Sequence, residues 1–332
     1  MSDSLPILAK KLHQLHVYLR QTIISNRGAD PDYEAMSRVE SVTAADTIFS
    51  IDRVTEEALF HWFTTHWPAE EPVTLIVEGC DPTVFPSNAP NSKWQCLIDP
   101  IDGTRNLMFD KRPAWILTAL APDRGHETRL RDTAISLLTE IPVSKQLWAE
   151  EIVAIRGCGR DGVEAQVTQI ETGEQRQRRC QPSRADSVVG GFAAISRFFP
   201  EGKTMLARVE EQLWEALLPE GPGPMVFEDQ YASTGGQFHQ LLTGRDRMLA
   251  DLRPLVFRAL GMESALACHP YDAGAALILE EAGCVLLQPD GQPLDAPFDT
   301  TSPVSWIGYA NATLAKRIQP VLQSILHQEG LL

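Results

Sequence analysis

The sequence is poor in the features that mark whole classes of protein. Its six cysteines, at 80, 96, 158, 180, 268 and 284, are scattered through 332 residues with no CxxC pair. That pattern excludes zinc ribbons and thioredoxin-like redox motifs and reads as reduced, buried thiols in a reducing compartment. Aromatic residues make up only 7%, and the 22 glycines and 23 prolines are ordinary, so collagen-like and low-complexity chains are excluded. No run of 18 apolar residues occurs, and the opening MSDSLPILAKKLHQLHVYLR carries charges where a signal peptide needs an unbroken apolar stretch. The expectation is a cytoplasmic protein with no membrane partner. Positive charge is short as well: 29 basic against 44 acidic residues leave a formal net charge of −15. Such a balance repels nucleic-acid polymers and anionic surfaces, so an anionic substrate would need a cation to recruit it. The eight histidines lack metal-ligand spacing, and surface or core placement is expected for His13, His16, His61 and His66.

What is present is a globular composition, 43% apolar, in which helical and strand patterns alternate. Leu5, Leu8, Leu12, Leu15 and Leu19 predict an amphipathic helix over residues 4–24, and Ile51, Val54, Ala58, Trp62 and Phe63 a second. The polar stretch from Asn26 to Ala45 reads as loop. Strand-type runs follow at Val73–Val77, Trp94–Ile98, Trp115–Ala119, Thr133–Leu138 and Gln146–Ala149. Residues 157–182, with Arg176, Arg178 and Arg179, read as an exposed hairpin and loop. The second half predicts helices near 201–218, 233–242 and 273–282, and a last one opened by Asn311. Strands are expected at 248–250, 285–287 and 304–308. Two parts are expected in one coupled unit, residues 1–185 and 186–332.

The chemistry concentrates in Trp94-Gln95-Cys96-Leu97-Ile98-Asp99-Pro100-Ile101-Asp102-Gly103-Thr104-Arg105-Asn106. An apolar strand runs into Asp99, Pro100 interrupts it, and Gly103-Thr104 can open a helix whose free amides face the strand end. Carboxylate oxygens suit a hard cation such as Mg²⁺, and helix amides suit phosphate oxygens. A phosphatase of haloacid-dehalogenase type needs Asp-x-Asp-x-Thr, and an EF-hand needs Asp-x-Asp-x-Asp-Gly; neither spacing occurs here. The simplest alternative is that Asp99 and Asp102 merely cap a turn.

This string resembles the first signature of the inositol monophosphatase family, Asp-Pro-Ile-Asp-Gly-Thr-x-Asn. The family belongs to the lithium-sensitive, magnesium-dependent phosphomonoesterases, together with fructose-1,6-bisphosphatases. Tyr271-Asp272-Ala273-Gly274-Ala275, followed by Glu281-Ala282-Gly283-Cys284, resembles the second signature. Ser50-Ile51-Asp52-Arg53, Ile76-Val77-Glu78-Gly79 and Arg156-Gly157-Cys158-Gly159 match weaker family elements in order. The resemblance implies a mixed α/β fold, a layered αβαβα sandwich, and Mg²⁺-dependent hydrolysis of a small phosphate monoester by a metal-activated water. Two to three Mg²⁺ ions, inhibition by Li⁺ and a homodimer are implied with it. Glu78, Asp99, the Ile101 carbonyl, Asp102 and Asp272 take the metal-ligand positions. Glu78, Thr104 and Asp52 take the positions that orient and deprotonate water; Gly103 and Thr104 hold phosphate oxygens, and Asp272 and Asp251 lie toward the substrate. Taken alone, Asp52 and Asp272 would be expected to cap their helices. Inositol phosphate, fructose bisphosphate, histidinol phosphate and 3′-phosphoadenosine phosphate remain open as substrates, and a non-catalytic phospholigand-binding module is the alternative from another class. Three positions depart from the family pattern: Gly79 stands for a second Glu, Val77 for Gly and Tyr271 for Trp. The stretch 251–270, with Arg253, Arg258 and His269, is longer than its family counterpart.

Overall fold

Leu8, Leu12, Leu15 and Leu19 are fully buried along one side of helix α1 (Leu5–Arg27), as their spacing predicts. Each such side chain removed from water stabilises the fold by about 1.5–3 kcal/mol. In this computed structural model, which describes residues 4–27, 39–42, 47–218, 225–262 and 266–332, α1 packs with α2 (Ser50–His66) over one face of an eight-stranded sheet. The strands are β3 (Val73–Val77), β4 (Thr83–Phe85), β5 (Trp94–Asp102), β6 (Ala114–Pro122), β7 (Ile135–Ile141), β8 (Trp148–Ile155), β9 (Glu164–Gln169) and β10 (Gln175–Arg178). Their order across the sheet is β10-β9-β8-β7-β6-β5-β3-β4, antiparallel except where β3 lies parallel to β5.

A second sheet holds β11 (Gly191–Ile195), β12 (Val226–Phe227), β13 (Asp246–Asp251), β14 (Val285–Leu287) and β15 (Trp306–Tyr309) in the order β12-β11-β13-β15-β14. A short helix, α3 (Thr104–Met108), follows β5. Between the sheets run α5 (Thr234–Leu242) and α7 (Ala276–Ala282), while α4 (Lys203–Leu217) and α8 (Ala312–Gln328) cover the far side of the second sheet. The result is the expected αβαβα layering, with one apolar core under α1 and α2 and another that spans the sheet interface. Because both faces of the large sheet are covered, all nine residues of β5 are buried, Asp99 and Asp102 included. No helix among the described residues is long and apolar enough to cross a membrane.

Several elements differ from expectation. The stretch read as loop from Asn26 contains a strand, β1 (Val39–Val42), paired antiparallel with β2 (Thr47–Phe49); residues 28–38 and 43–46 lie outside the described residues. The strands β6, β7 and β8 extend past the apolar runs that signalled them, to Pro122, Ile141 and Ile155, and the polar residues added in β7 and β8, Thr139, Glu140, Glu150 and Glu151, are buried with hydrogen-bond partners. The stretch beyond Asp251 contains an unanticipated helix, α6 (Arg253–Ala259), with Pro254 in its first turn. Helix α7 starts at Ala276 with Ala275 as its cap, so Asp272 does not cap it. The Gly283 stop, at φ 93, and the Asn311 cap of α8 stand as expected.

Candidate functional site

Asp99 and Asp102 sit at the end of β5, where the pairing with β6 shifts register between them. That irregularity bends the chain so that both carboxylates face the same cleft. Asp272 reaches them from the turns before α7, and one oxygen from each of the three lies within 4.8 Å of the others. Each carboxylate is also held from behind. Asp99 Oδ1 accepts the Ile101 N–H at 2.9 Å, and Asp272 Oδ2 accepts the His269 N–H at 2.6 Å. Asp102 Oδ2 accepts the Ser233 hydroxyl at 2.7 Å and the Gly235 N–H at 2.6 Å. These bonds fix the rotamers without neutralising the charges.

Burial raises the pKa of all three aspartates. Asp99 is pushed well above the usual carboxylate range by burial and then by the charges of Asp102, Asp272 and Glu78. Asp272 is raised by burial and by Asp102. Asp102 reaches about 6 by burial, with the Ser233 and Gly235 hydrogen bonds holding it back. The cluster is therefore an assembly of like charges in low dielectric that a dication would stabilise.

The cleft in which they meet has a volume of about 190 Å³, and Glu78, Ile101, Gly103 and Thr104 line it as well. Glu78 follows β3, the strand that runs parallel to β5, so topology brings it beside the aspartates. Gly79 turns the chain at φ 72, a left-handed conformation that favours glycine, which accounts for a glycine where the family pattern has Glu. Thr104 Oγ1 lies 2.8 Å from the Ile101 carbonyl and 3.3 Å from Asp52 Oδ1. A hydroxyl has one proton, so Thr104 donates to one of these acceptors at a time. Asp52, near the start of α2, stands behind Thr104 and outside the cleft lining.

Asp251 also lies outside the lining. It is 1% exposed, and both of its oxygens accept from Arg253, at 2.5 to 3.1 Å. Of the three basic residues singled out in the longer segment, Arg253 and His269 border the cleft and Arg258 is exposed. Glu281 accepts the Gly157 and Gly159 N–H groups, and Glu280 pairs with Arg156 at 3.5 Å, so both serve the turn after β8 rather than the aspartate cluster.

Sequence reasoning missed Ser233 and Gly235, which orient Asp102, and Phe198 and Phe199, which line the cleft beside Arg253. The signal for the first pair was a serine N-cap before α5; a main-chain donor leaves no signal of its own. Tyr271, in the Trp position of the second signature, is buried and stacks on His269 at 5.5 Å between ring centroids.

Neither protein-family models nor curated proteins give a match to the chain. Solved structures do. The extragenic suppressor protein suhB of Bartonella henselae superposes with a TM-score of 0.65 at 15% identity, over 95% of this chain and 98% of that one. The inositol monophosphatase of Anabaena (Nostoc) sp. PCC 7120 gives 0.60 at 14% identity, over 98% and 97%. The IMPase TM1415 of Thermotoga maritima gives 0.59 at 15% identity, over 99% and 100%. The resemblance carried by the two aspartate signatures thus extends to the architecture, and the chain has the inositol monophosphatase fold.

Proposed function

We propose that this protein is a divalent-metal-dependent phosphatase that hydrolyses small phosphate monoesters. The observation that carries this reading is the convergence of Asp99, Asp102 and Asp272 within 4.8 Å, in a cleft that the Gly103-Thr104 start of α3 also lines. The donor set fits Mg²⁺: it is all hard oxygen, and burial and mutual repulsion leave its carboxylates in need of positive charge. Asp99, Asp102, Asp272, Glu78 and the Ile101 carbonyl are the residues that would hold the ions. Bound Mg²⁺ supplies charge for the phosphate and acidity for a water, the cationic recruitment that a chain of net charge −15 requires.

The chain's own groups do the rest. The Gly103 and Thr104 amides, at the cleft lining, would hold phosphate oxygens, since a helix start favours an anion. Glu78, at the cleft wall, accepts the proton of the attacking water, and the Thr104 hydroxyl, backed by Asp52, keeps that water in line. Positioning and neutralisation suffice for phosphoryl transfer, so no covalent intermediate is needed. Phosphate release from inositol phosphate, fructose bisphosphate, histidinol phosphate and 3′-phosphoadenosine phosphate tests the proposal. Release that needs Mg²⁺, stops on chelation and falls with Li⁺ is expected; no release from any ester with Mg²⁺ overturns it.

A further inference from the structure

One wall of the cleft does not belong to the chemistry of its floor. Phe198 and Phe199 follow β11 and pack edge to face, 5.0 Å between centroids at 67°. The Arg253 guanidinium stands 4.5 Å from the Phe198 centroid and 5.2 Å from that of Phe199. Arg253 is not available as a cation for phosphate. Its Nε and Nη2 hold both oxygens of Asp251, and its Nη1 donates to the Leu266 carbonyl at 2.5 Å. Leu266 presents that carbonyl from φ 73, a conformation that a branched residue adopts only when its surroundings impose it. Leu266 and Ala267 complete the wall.

Asp251, the nearest acid that could have read a substrate's hydroxyls, is thus engaged by Arg253 and outside the lining. On this side the lining that a polyol would meet is Phe198, Phe199, Leu266 and Ala267, none of which has a side-chain acceptor. Stripping hydroxyls of water without replacing their hydrogen bonds is unfavourable, whereas a flat ring gains by meeting two phenyl rings. We infer that the alcohol half of the substrate carries a flat unsaturated ring seated against Phe198 and Phe199, with the Arg253–Asp251 pair as the brace that fixes both rings. This rests on the phosphatase reading, since it takes the phosphate to lie at the aspartates.

The test compares 2-phenylethyl phosphate with butyl phosphate and glycerol 3-phosphate in the presence of Mg²⁺. All are esters of primary alkyl alcohols, so leaving-group acidity does not dominate the comparison. Expected is a kcat/KM about tenfold higher for the phenylethyl ester, expressed in KM. The ratio of phenylethyl to butyl ester should fall toward one in Phe198→Ala and in Phe198→Leu, which keeps apolar volume without a ring, and should persist in Phe198→Tyr. Equal use of the three esters, or a ratio unmoved by either ring-removing variant, overturns the inference while leaving the phosphatase intact. If neither these esters nor the four phosphates named above are hydrolysed, the phosphatase reading fails, and calorimetry with 2-phenylethylphosphonate and butylphosphonate decides the ring separately. About tenfold tighter binding of the first supports the inference, and equal binding overturns it.

Discussion

The main-chain N–H of Gly235 donates to Asp102 Oδ2 at 2.6 Å across 133 positions of sequence. It can do so because the first turn of α5 lies directly on β6: a Cβ at Gly235 would stand 2.8 Å from Trp115 Cβ and Leu117 Cδ2 and 3.0 Å from Asp102 Oδ2. Gly235→Ala should push α5 off the sheet and release Asp102, costing about 1–3 kcal/mol of stability and roughly 10–100-fold in phosphate release. Ser233→Ala removes the other Asp102 donor and the α5 cap without adding an atom, and should cost about 1 kcal/mol. Denaturant melts and Mg²⁺-dependent assays of the two variants check this; wild-type behaviour of Gly235→Ala would show that the close approach has no consequence.

Asp99→Asn should separate function from stability. Phosphate release is expected to fall by more than the roughly 100-fold typical of losing an outer-shell partner of a metal ligand. The metal-free protein should melt at a higher temperature than wild type, because burial and the charges of Asp102, Asp272 and Glu78 all oppose a charge at this position. Asp272→Asn should behave alike. Retained release in either variant contradicts the assigned site.

The pH dependence of the metal-free protein follows from Asp102. Its pKa rises from 3.8 to about 6 on folding, so below 3.8 both folded and unfolded chains are protonated there and the stabilisation is complete. Between 3.8 and 6 the unfolded chain gives up the proton first, and this contribution is lost as pH rises through 6. Mg²⁺, which binds the ionised folded cluster, should reverse the loss. The melting-temperature gain on adding Mg²⁺ should therefore be larger at pH 8 than at pH 5, and equal gains would rule out the charged cluster as the binding site.

Arg253 and Asp251 form a buried pair, 6% and 1% exposed. Arg253→Met leaves a buried carboxylate with no counter-charge and should cost about 3–5 kcal/mol, most of it recovered when Asp251→Leu is added. Urea denaturation of the single and double variants measures the coupling. A double variant whose loss equals the sum of the two single losses would mean that the two residues act independently.

The floor of the cleft was legible in the sequence because its chemistry is local. Asp99, Asp102, Gly103 and Thr104 lie within one bend of β5 into α3, and Asp272 within one turn before α7. The walls were not legible. Gly235 contributes a main-chain donor, and Phe198 and Phe199 reach the cleft only because β11 pairs with β13 in the second sheet, beside the helix that carries Arg253. Asp251 could not be assigned from order along the chain, since its partner two residues on is set by the start of α6. The Asp272 cap failed for a related reason: its carboxylate accepts the His269 N–H, so the helix begins four residues later.

His16, on α1, is fully buried between two strands, with Nδ1 2.8 Å from Thr139 Oγ1 and Nε2 2.8 Å from Thr118 Oγ1. Thr139 gives its own proton to Glu151 Oε2 at 3.0 Å, so it accepts from His16, and the neutral ring carries its hydrogen on Nδ1 while Nε2 accepts from Thr118. Burial lowers the imidazole from 6.5 to about 3. The unfolded chain therefore takes up a proton below 6.5 that the folded one refuses: the contribution is complete above 6.5 and is lost as pH falls toward 3, at up to about 1.4 kcal/mol per pH unit. This slope is opposite in sign to that of Asp102, so wild type alone cannot reveal it. His16→Gln keeps a donor and an acceptor on α1 but cannot titrate. It should be about 1–2 kcal/mol less stable than wild type at pH 8, and the gap should narrow and then reverse between pH 6 and 4.5. Denaturant midpoints at pH 8, 6 and 4.5 read this difference directly, and a gap that stays constant over that range would mean His16 is not the buried neutral base the geometry describes.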